Sequence, residues 1–107
     1  IYDYCETQEL DVDNLAHEAG TAQLELNFRH GDPVSLADQM FLLKRTVREA
    51  AMRHDIYATF MAKPVFGDNG SGMHVHQSIW KGGKPLFAGD RYADLSETCL
   101  YYIGGVI

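Results

Sequence analysis

Lys63-Pro64-Val65-Phe66-Gly67-Asp68-Asn69-Gly70-Ser71-Gly72-Met73-His74-Val75-His76-Gln77-Ser78 runs a glycine-punctuated turn into a segment where His74, His76 and Ser78 alternate with Met73, Val75 and Gln77. Read as a strand, the period of two puts both imidazoles and the hydroxyl on one face. Alternate side chains on a strand stand roughly 6.5–7 Å apart, too far for both imidazoles to grip one small ion at ligand distances of about 2 Å. One imidazole is therefore free to bind metal while the next reaches something larger, and the spacing suits a polyanionic substrate lying along the strand. The plainer alternative is a tight connection in which Gly67, Gly70 and Gly72 supply positive φ. A phosphate-binding P-loop is excluded, because no Gly-Lys-Ser/Thr follows and the segment leads into a strand instead of a helix.

The chain has 107 residues, enough for one small domain and too few for a large enzyme. A formal net charge of −6 argues against a nucleic-acid partner. No secretory apolar region and no run long enough to cross a bilayer occurs, so no membrane is expected. Two cysteines, Cys5 and Cys99, lie nearly a full chain apart and read as reduced thiols. Together these features predict a cytoplasmic protein. Ile1-Tyr2-Asp3-Tyr4-Cys5 already reads like the inside of an element, and Tyr101-Tyr102-Ile103-Gly104-Gly105-Val106-Ile107 stops in an apolar stretch. A fragment of a longer polypeptide is the expectation.

Working outward from the glycine segment, residues 1–9 read as the close of a helix. Asp11 to Ala16 reads as a short strand, weakened by Asp13-Asn14. From Gln23 to Phe28 the alternation is clean, with Leu24, Leu26 and Phe28 on one face and Gln23, Glu25 and Asn27 on the other. Gly31-Asp32-Pro33 breaks the strand, and Ser35 is the expected N-cap of a helix whose apolar stripe is Leu36, Met40, Leu43, Val47 and Ala50/Ala51. Lys44, Arg45, Arg48, Glu49 and Arg53 lie mostly off that stripe and read as a solvated face. Tyr57 to Met61 is a further expected strand. Lys81-Gly82-Gly83-Lys84 is a hairpin turn signal, and Asp94 and Glu97 bracket the start of a final helix. The order β, β, α, β, β, α predicts an α+β fold, mainly antiparallel.

A second constellation is His17-Glu18-Ala19-Gly20-Thr21-Ala22-Gln23-Leu24-Glu25. A small-residue loop of this kind can fold back and bring Glu18 toward Glu25. Two carboxylates held close repel unless a cation lies between them. Carboxylate oxygens suit Mg2+ or Mn2+, and an added imidazole is tolerated better by Mn2+. The alternative is two separate, solvated side chains, and the pair alone does not decide against it.

The whole word from Lys63-Pro64 through Phe66-Gly67-Asp68-Asn69-Gly70-Ser71-Gly72-Met73-His74-Val75-His76-Gln77-Ser78 closely resembles the signature of glutamine synthetases. The Glu18/Glu25 segment precedes it, and Tyr92-Ala93-Asp94-Leu95-Ser96-Glu97 and Tyr101-Tyr102-Ile103-Gly104-Gly105 follow it, in the order that family shows. The resemblance covers essentially all 107 residues. It implies part of a catalytic domain, lacking the N-terminal domain and the C-terminal part, in an enzyme that forms a ring-shaped homo-oligomer. The implied reaction is ATP-dependent ligation: glutamate is phosphorylated on its γ-carboxylate, and ammonia or another amine displaces phosphate.

By the same resemblance Glu18 and Glu25 ligate one divalent ion and His74 a second. Asn69 and Gly70 hold glutamate, with Gly70 leaving room for a close backbone approach. His76 and Ser78 contact ATP, and Asp13 stands where the family often has a Glu near the nucleotide. His17, His30 and His54 match no motif, and His54 is expected to pack or cap near the end of the long helix. Residues 17–32 and 35–63 look closer to the γ-glutamyl-polyamine branch of the family, whereas the chain from Phe66 onward resembles glutamine synthetase proper. The acceptor is thus ammonia or a polyamine such as putrescine. The 107 residues alone are expected to be inactive, because the arginines that clamp glutamate and phosphate have no counterpart here. Competing readings are a non-catalytic family member with a structural role and a stand-alone metal-binding module. The module is disfavoured, since a truncated core exposes strand edges.

Overall fold

Proline cannot donate a backbone hydrogen bond, so Asp32-Pro33 marks where a helix can start without losing one. In the computed structural model, which describes residues 1–107, helix α2 runs Pro33–Arg53 with Pro33 in its first turn. The N-cap is Asp32, whose carboxylate accepts from the Ser35 amide at 3.0 Å. The expected N-cap, Ser35, instead lies inside the first turn and supplies the amide that is capped. One face of α2 buries Leu43, Thr46, Val47, Ala50 and Ala51, matching most of the expected stripe. Thr46 adds a polar group that the hydroxyl satisfies locally, 2.9 Å from the Gln8 side-chain oxygen and 3.0 Å from the Leu42 carbonyl. The helix ends with His54 at the C-cap, its amide bonded to the Ala51 carbonyl.

Lys44, Arg45, Arg48, Glu49 and Arg53 are exposed, as a solvated face should be. Arg45 and Glu49 pair at 2.7 Å one turn apart, an exposed pair worth little to stability. Lys44 and Arg48 flank the Phe60 ring at 5.4 and 5.3 Å.

The chain divides into two compact units, Ile1–Gly72 and Met73–Ile107. In the first, helix α1 (Tyr2–Thr7) leads into an antiparallel pair, β1 (Val12–His17) and β2 (Leu24–Phe28), followed by α2. Its core is Cys5, Leu10, Val12, Leu43 and Val47, with Ile1, Leu26, Phe28, Met40 and Ala58 packed against it. The Asp11 amide donates to the Gln39 side chain at 3.0 Å, tying the entry of β1 to α2. Residues 57–61, expected to form a strand, are irregular and no strand pairs with them. Local polar contacts satisfy this backbone instead: the Met61 amide donates to Thr59 Oγ1, and the Ala62 carbonyl accepts from Ser71.

In the second unit, β3 (Trp80–Lys81) and β4 (Lys84–Pro85) form the predicted hairpin. Gly82 and Gly83 both take positive φ, +56° and +73°, as a two-residue turn between twisted strands requires. A short 3-10 turn, Tyr92–Asp94, precedes helix α3 (Glu97–Val106), whose N-cap Ser96 accepts from the Cys99 amide at 3.0 Å. The Phe87 and Tyr102 rings pack tilted at 50° to each other, 5.1 Å between ring centres. The strand expected over residues 73–78 does not form: the β3–β4 ladder reaches back no further than Ile79, whose carbonyl accepts from Leu86. The class is α+β, with two short antiparallel sheets and three α-helices. Cys5 and Cys99 are both buried free thiols. No helix is long and apolar enough to cross a membrane.

The two N-cap assignments make different predictions. Asp32→Ala should lower stability by about 1 kcal/mol, while Ser35→Ala, which keeps its amide, should change it by less than about 0.5 kcal/mol. Urea denaturation of the two variants checks this.

Candidate functional site

The site starts from the register of the β1–β2 hairpin. Leu15 pairs with Leu26, Ala16 with Glu25 and His17 with Leu24, but Val12 pairs with Phe28 and Asn14 with Asn27, leaving Asp13 as an extra residue. Val12 and Leu15 are three apart, so an unbroken strand would send them to opposite faces. The bulge at Asp13 lets both share the face of Leu26 and Phe28. Downstream of the bulge, Asn14, Ala16 and Glu18 share the opposite face with Glu25 and Asn27. His17 falls with Leu24 on the apolar face, away from the carboxylates.

Glu18 and Glu25 are therefore same-face residues on neighbouring strands, offset by one diagonal step. Such positions lie roughly 7–8 Å apart at the backbone, within reach of each other for long side chains. The loop joining them is held by Glu18 N–H to Gln23 carbonyl (3.0 Å) and Gln23 N–H to Gly20 carbonyl (3.1 Å). The Asn27 carboxamide donates to Glu25 Oε1 at 2.8 Å and to Asn14 Oδ1 at 2.9 Å, which orients the Glu25 carboxylate. Both glutamates are exposed.

This hairpin loop is fastened to the glycine segment. Gln23 Nε2 donates to the Gly70 carbonyl at 2.8 Å and to Ser71 Oγ at 3.1 Å, while its Oε1 accepts from Gly20 N–H at 3.0 Å. Only one orientation of the carboxamide satisfies all three contacts. Asp68 makes the second link: one carboxylate oxygen accepts from the Thr21 amide at 2.9 Å, the other from the Asn69 amide at 2.7 Å. Lys63 Nζ also donates to the Asp68 carbonyl. Of the three glycines expected to supply positive φ, only Gly67 does so, at +81°. Gly70 serves close approach instead, but to the chain itself: a Cβ there would stand 2.8 Å from the Ala62 carbonyl oxygen.

Glu18 and Glu25 on the hairpin and Asn69 and Gly70 on the glycine segment thus lie on two segments joined by hydrogen bonds. Asp13 sits at the bulge, its carboxylate 3.2 Å from Arg29 Nε. His74, His76 and Ser78 belong to the second unit and are exposed on the irregular stretch before β3. Ser78 Oγ accepts from the Trp80 indole at 3.1 Å, and Gln77 accepts from the Tyr102 hydroxyl. No three His, Cys, Asp or Glu side chains gather to complete a metal shell. In kind, the paired carboxylates fit a hard divalent cation; in number they supply only part of its coordination. Sequence reasoning missed Gln23, Thr21 and Asp68. The polar face assigned to Gln23 was the one available signal.

The hydrogen bond from the Thr21 amide, followed by others from Thr21 and Asn69, holds the Asp68 carboxyl below the usual carboxylate range. A depressed folded-state pKa stabilises the folded form above the unfolded value, and that contribution disappears as pH falls through the folded one. The stability advantage of the wild type over Asp68→Asn should therefore be full at neutral pH and shrink as pH falls below roughly 4. Thermal melts of both proteins across this range measure it.

The sequence profile described as "Glutamine synthetase, catalytic domain" matches residues 1–107. A glutamine synthetase of Azorhizobium caulinodans is 58% identical over 96 residues, covering 90% of this chain and 20% of that protein. A glutamine synthetase of Streptomyces filamentosus is 52% identical over 100 residues, covering 92% of this chain and 21% of that protein. Among solved structures, GmaS without ligand superposes with a TM-score of 0.83 at 34% identity, over 98% of this chain and 25% of that one. A GmaS complex with ADP gives the same values. The chain spans about a fifth of the length of these curated relatives. The hairpin carboxylates, the glycine segment and the match over every residue agree: the chain belongs to the glutamine synthetase family, within its catalytic domain.

Proposed function

We propose that the chain is part of a longer, cytoplasmic carbon–nitrogen ligase that makes glutamine from glutamate, ammonia and ATP. The observation that carries this reading is the fastening of the Glu18/Glu25 hairpin to the Asn69–Gly70 loop. It brings the face proposed to bind a cation beside the loop proposed to hold glutamate. The 58% identity to a protein named glutamine synthetase supports ammonia as acceptor. A second reading, in which a larger amine such as putrescine is the acceptor, rests on the resemblance of residues 17–32 and 35–63 to the γ-glutamyl-polyamine branch of the family.

In this reading ATP gives its γ-phosphoryl group to a γ-carboxylate oxygen of glutamate, releasing ADP. The amine nitrogen then attacks the acyl carbon, phosphate leaves, and the nitrogen loses a proton. Phosphoryl transfer needs alignment and charge neutralisation more than covalent help from the protein. Glu18 and Glu25 would hold one Mg2+ or Mn2+, with Asn27 fixing the Glu25 carboxylate, and His74 would be a ligand to another. A divalent ion there supplies positive charge to offset the phosphoryl and carboxylate oxygens. Asn69 and Gly70 would hold glutamate. His76 and Ser78 would contact ATP; that GmaS forms an ADP complex supports a nucleotide ligand in this reading. Asp13 is a weaker candidate for that contact, since Arg29 already engages its carboxylate. The whole protein would assemble as a ring-shaped homo-oligomer without nucleic acid or membrane.

The test is phosphate release by the whole protein with ATP, glutamate and Mg2+ or Mn2+, comparing ammonia with putrescine and related amines. Ammonia should give the highest kcat/KM. A preference for putrescine would install the second reading, and no release with any amine would sink both. The 107-residue piece alone should release none. Glu25→Ala in the whole protein should lower kcat/KM more than about 100-fold, since the lost charge neutralisation is worth several kcal/mol of barrier.

A further inference from the structure

Gln23 occupies a position that the roles above leave unused. By the hairpin register it lies on the carboxylate face, two residues before Glu25 and across the ladder from Glu18. Its carboxamide has no spare hydrogen: both are given to the glycine segment, at the Gly70 carbonyl and Ser71 Oγ. Its oxygen is tied back to the hairpin through Gly20 N–H. A Cβ at Gly20 would stand 2.6 Å from Gln23 Oε1, and one at Gly70 would stand 2.8 Å from the Ala62 carbonyl oxygen. The missing Cβ at Gly20 thus leaves room for the Gln23 contact, and the Gly70 backbone lies close against the Ala62 carbonyl. Asp68 provides a parallel link by accepting one amide from each loop. Apart from Gly20, Gln23, Asp68 and Ser71, which are half-buried, the residues of both loops are exposed. Polar links, not apolar packing, transmit any movement between them.

We propose that Gln23 is a positioning residue that couples the Glu18/Glu25 cation subsite to the Asn69–Gly70 glutamate subsite. A cation drawn between the two carboxylates fixes the hairpin face on which Gln23 stands. Gln23 passes that order to the Gly70 carbonyl and Ser71, and so to the loop that receives glutamate. By linkage the effect is mutual: Mn2+ tightens glutamate binding, and glutamate tightens Mn2+ binding, by the same factor. The inference rests on the ligand assignments proposed above. It adds that part of the cooperation between the subsites runs through one side chain that touches neither ligand.

The experiment is calorimetric titration of the whole protein with Mn2+ and with glutamate, each alone and each in the presence of the other, without ATP. In the wild type each ligand should tighten the other within the usual range of about 5- to 150-fold. In Gln23→Met, which keeps length and volume but gives no hydrogen bonds, each ligand alone should bind within about threefold of wild type, while the mutual factor falls at least about fivefold. A mutual factor retained in Gln23→Met overturns the proposal, because the coupling then passes through direct contact between ion and substrate. Equal weakening of both ligands with the factor intact overturns it too, as a purely structural effect. Asp68→Ala, which breaks the parallel link and leaves Gln23 in place, should lower the factor partially and serves if Gln23→Met does not fold. Hydrogen exchange on the wild type needs no variant: Mn2+ alone should slow exchange over residues 67–72, and no change overturns the coupling. If the wild type binds both ligands without mutual effect, the coupling fails and the ligand assignments stand. If it binds neither, the assignments fail and the coupling with them.

Discussion

The bulge at Asp13 is the constraint on which the first unit depends. Val12 and Glu18 are an even number of residues apart, so an unbroken strand would place them on one face. Val12 belongs to the core with Cys5, Leu10, Leu43 and Val47. Without the extra residue, anchoring Val12 would turn Glu18 to the face of Leu24 and Leu26, away from Glu25. With it, Val12 is buried and Glu18 emerges beside Glu25. Arg29 holds the bulge from the partner strand, with its guanidinium 3.2 Å from Asp13 and 3.9 Å from Asp11 and its amide bonded to the Asp11 carbonyl. The Asp13-Asn14 pair, which looks unfavourable within a strand, is thus where the faces of the hairpin are set.

Features with a short period or a local hydrogen bond were legible in the sequence. The clean alternation of Leu24 to Phe28, the stripe of α2 and the Gly82-Gly83 turn each follow from backbone geometry within a few residues. Ser35 was misread because Asp32-Pro33-Val34-Ser35 offers two capping oxygens; Pro33 starting the helix decides for Asp32. The histidine segment shows the limit of alternation. Residues 73–78 carry the pattern of a strand, but a strand is made by a partner, and the chain offers no ladder to them.

The candidate site divides in the same way. Glu18 and Glu25 are paired from sequence only through the family resemblance, because six intervening residues allow their approach without requiring it. The contacts from Thr21 to Asp68 and from Gln23 to Gly70 each span 47 residues. They leave no periodic trace, since one amide against one carbonyl constrains nothing else nearby. Gln23 looked like any polar residue on the outer face of a half-buried strand. Its role appears only when the glycine segment lies against it.

The glycines of the two loops show how the site gains precision without a core of its own. Gly20 and Gly70 are defined by what approaches them, a carboxamide oxygen in one case and a backbone carbonyl in the other. Close backbone seating restricts a loop as firmly as side-chain packing, and it leaves side chains such as Asn69 free to face a ligand. The proposed phosphoryl transfer would reward this arrangement, because a displacement of about 1 Å at a positioning group can cost a hundredfold in rate. Apolar packing around an exposed loop would need cover that a solvated, charged substrate has to displace. Hydrogen bonds between loops tolerate water on one side and still fix the other. A half-buried glutamine and aspartate beneath an exposed ligand surface therefore suit a site that must admit polar, charged molecules and hold them in register.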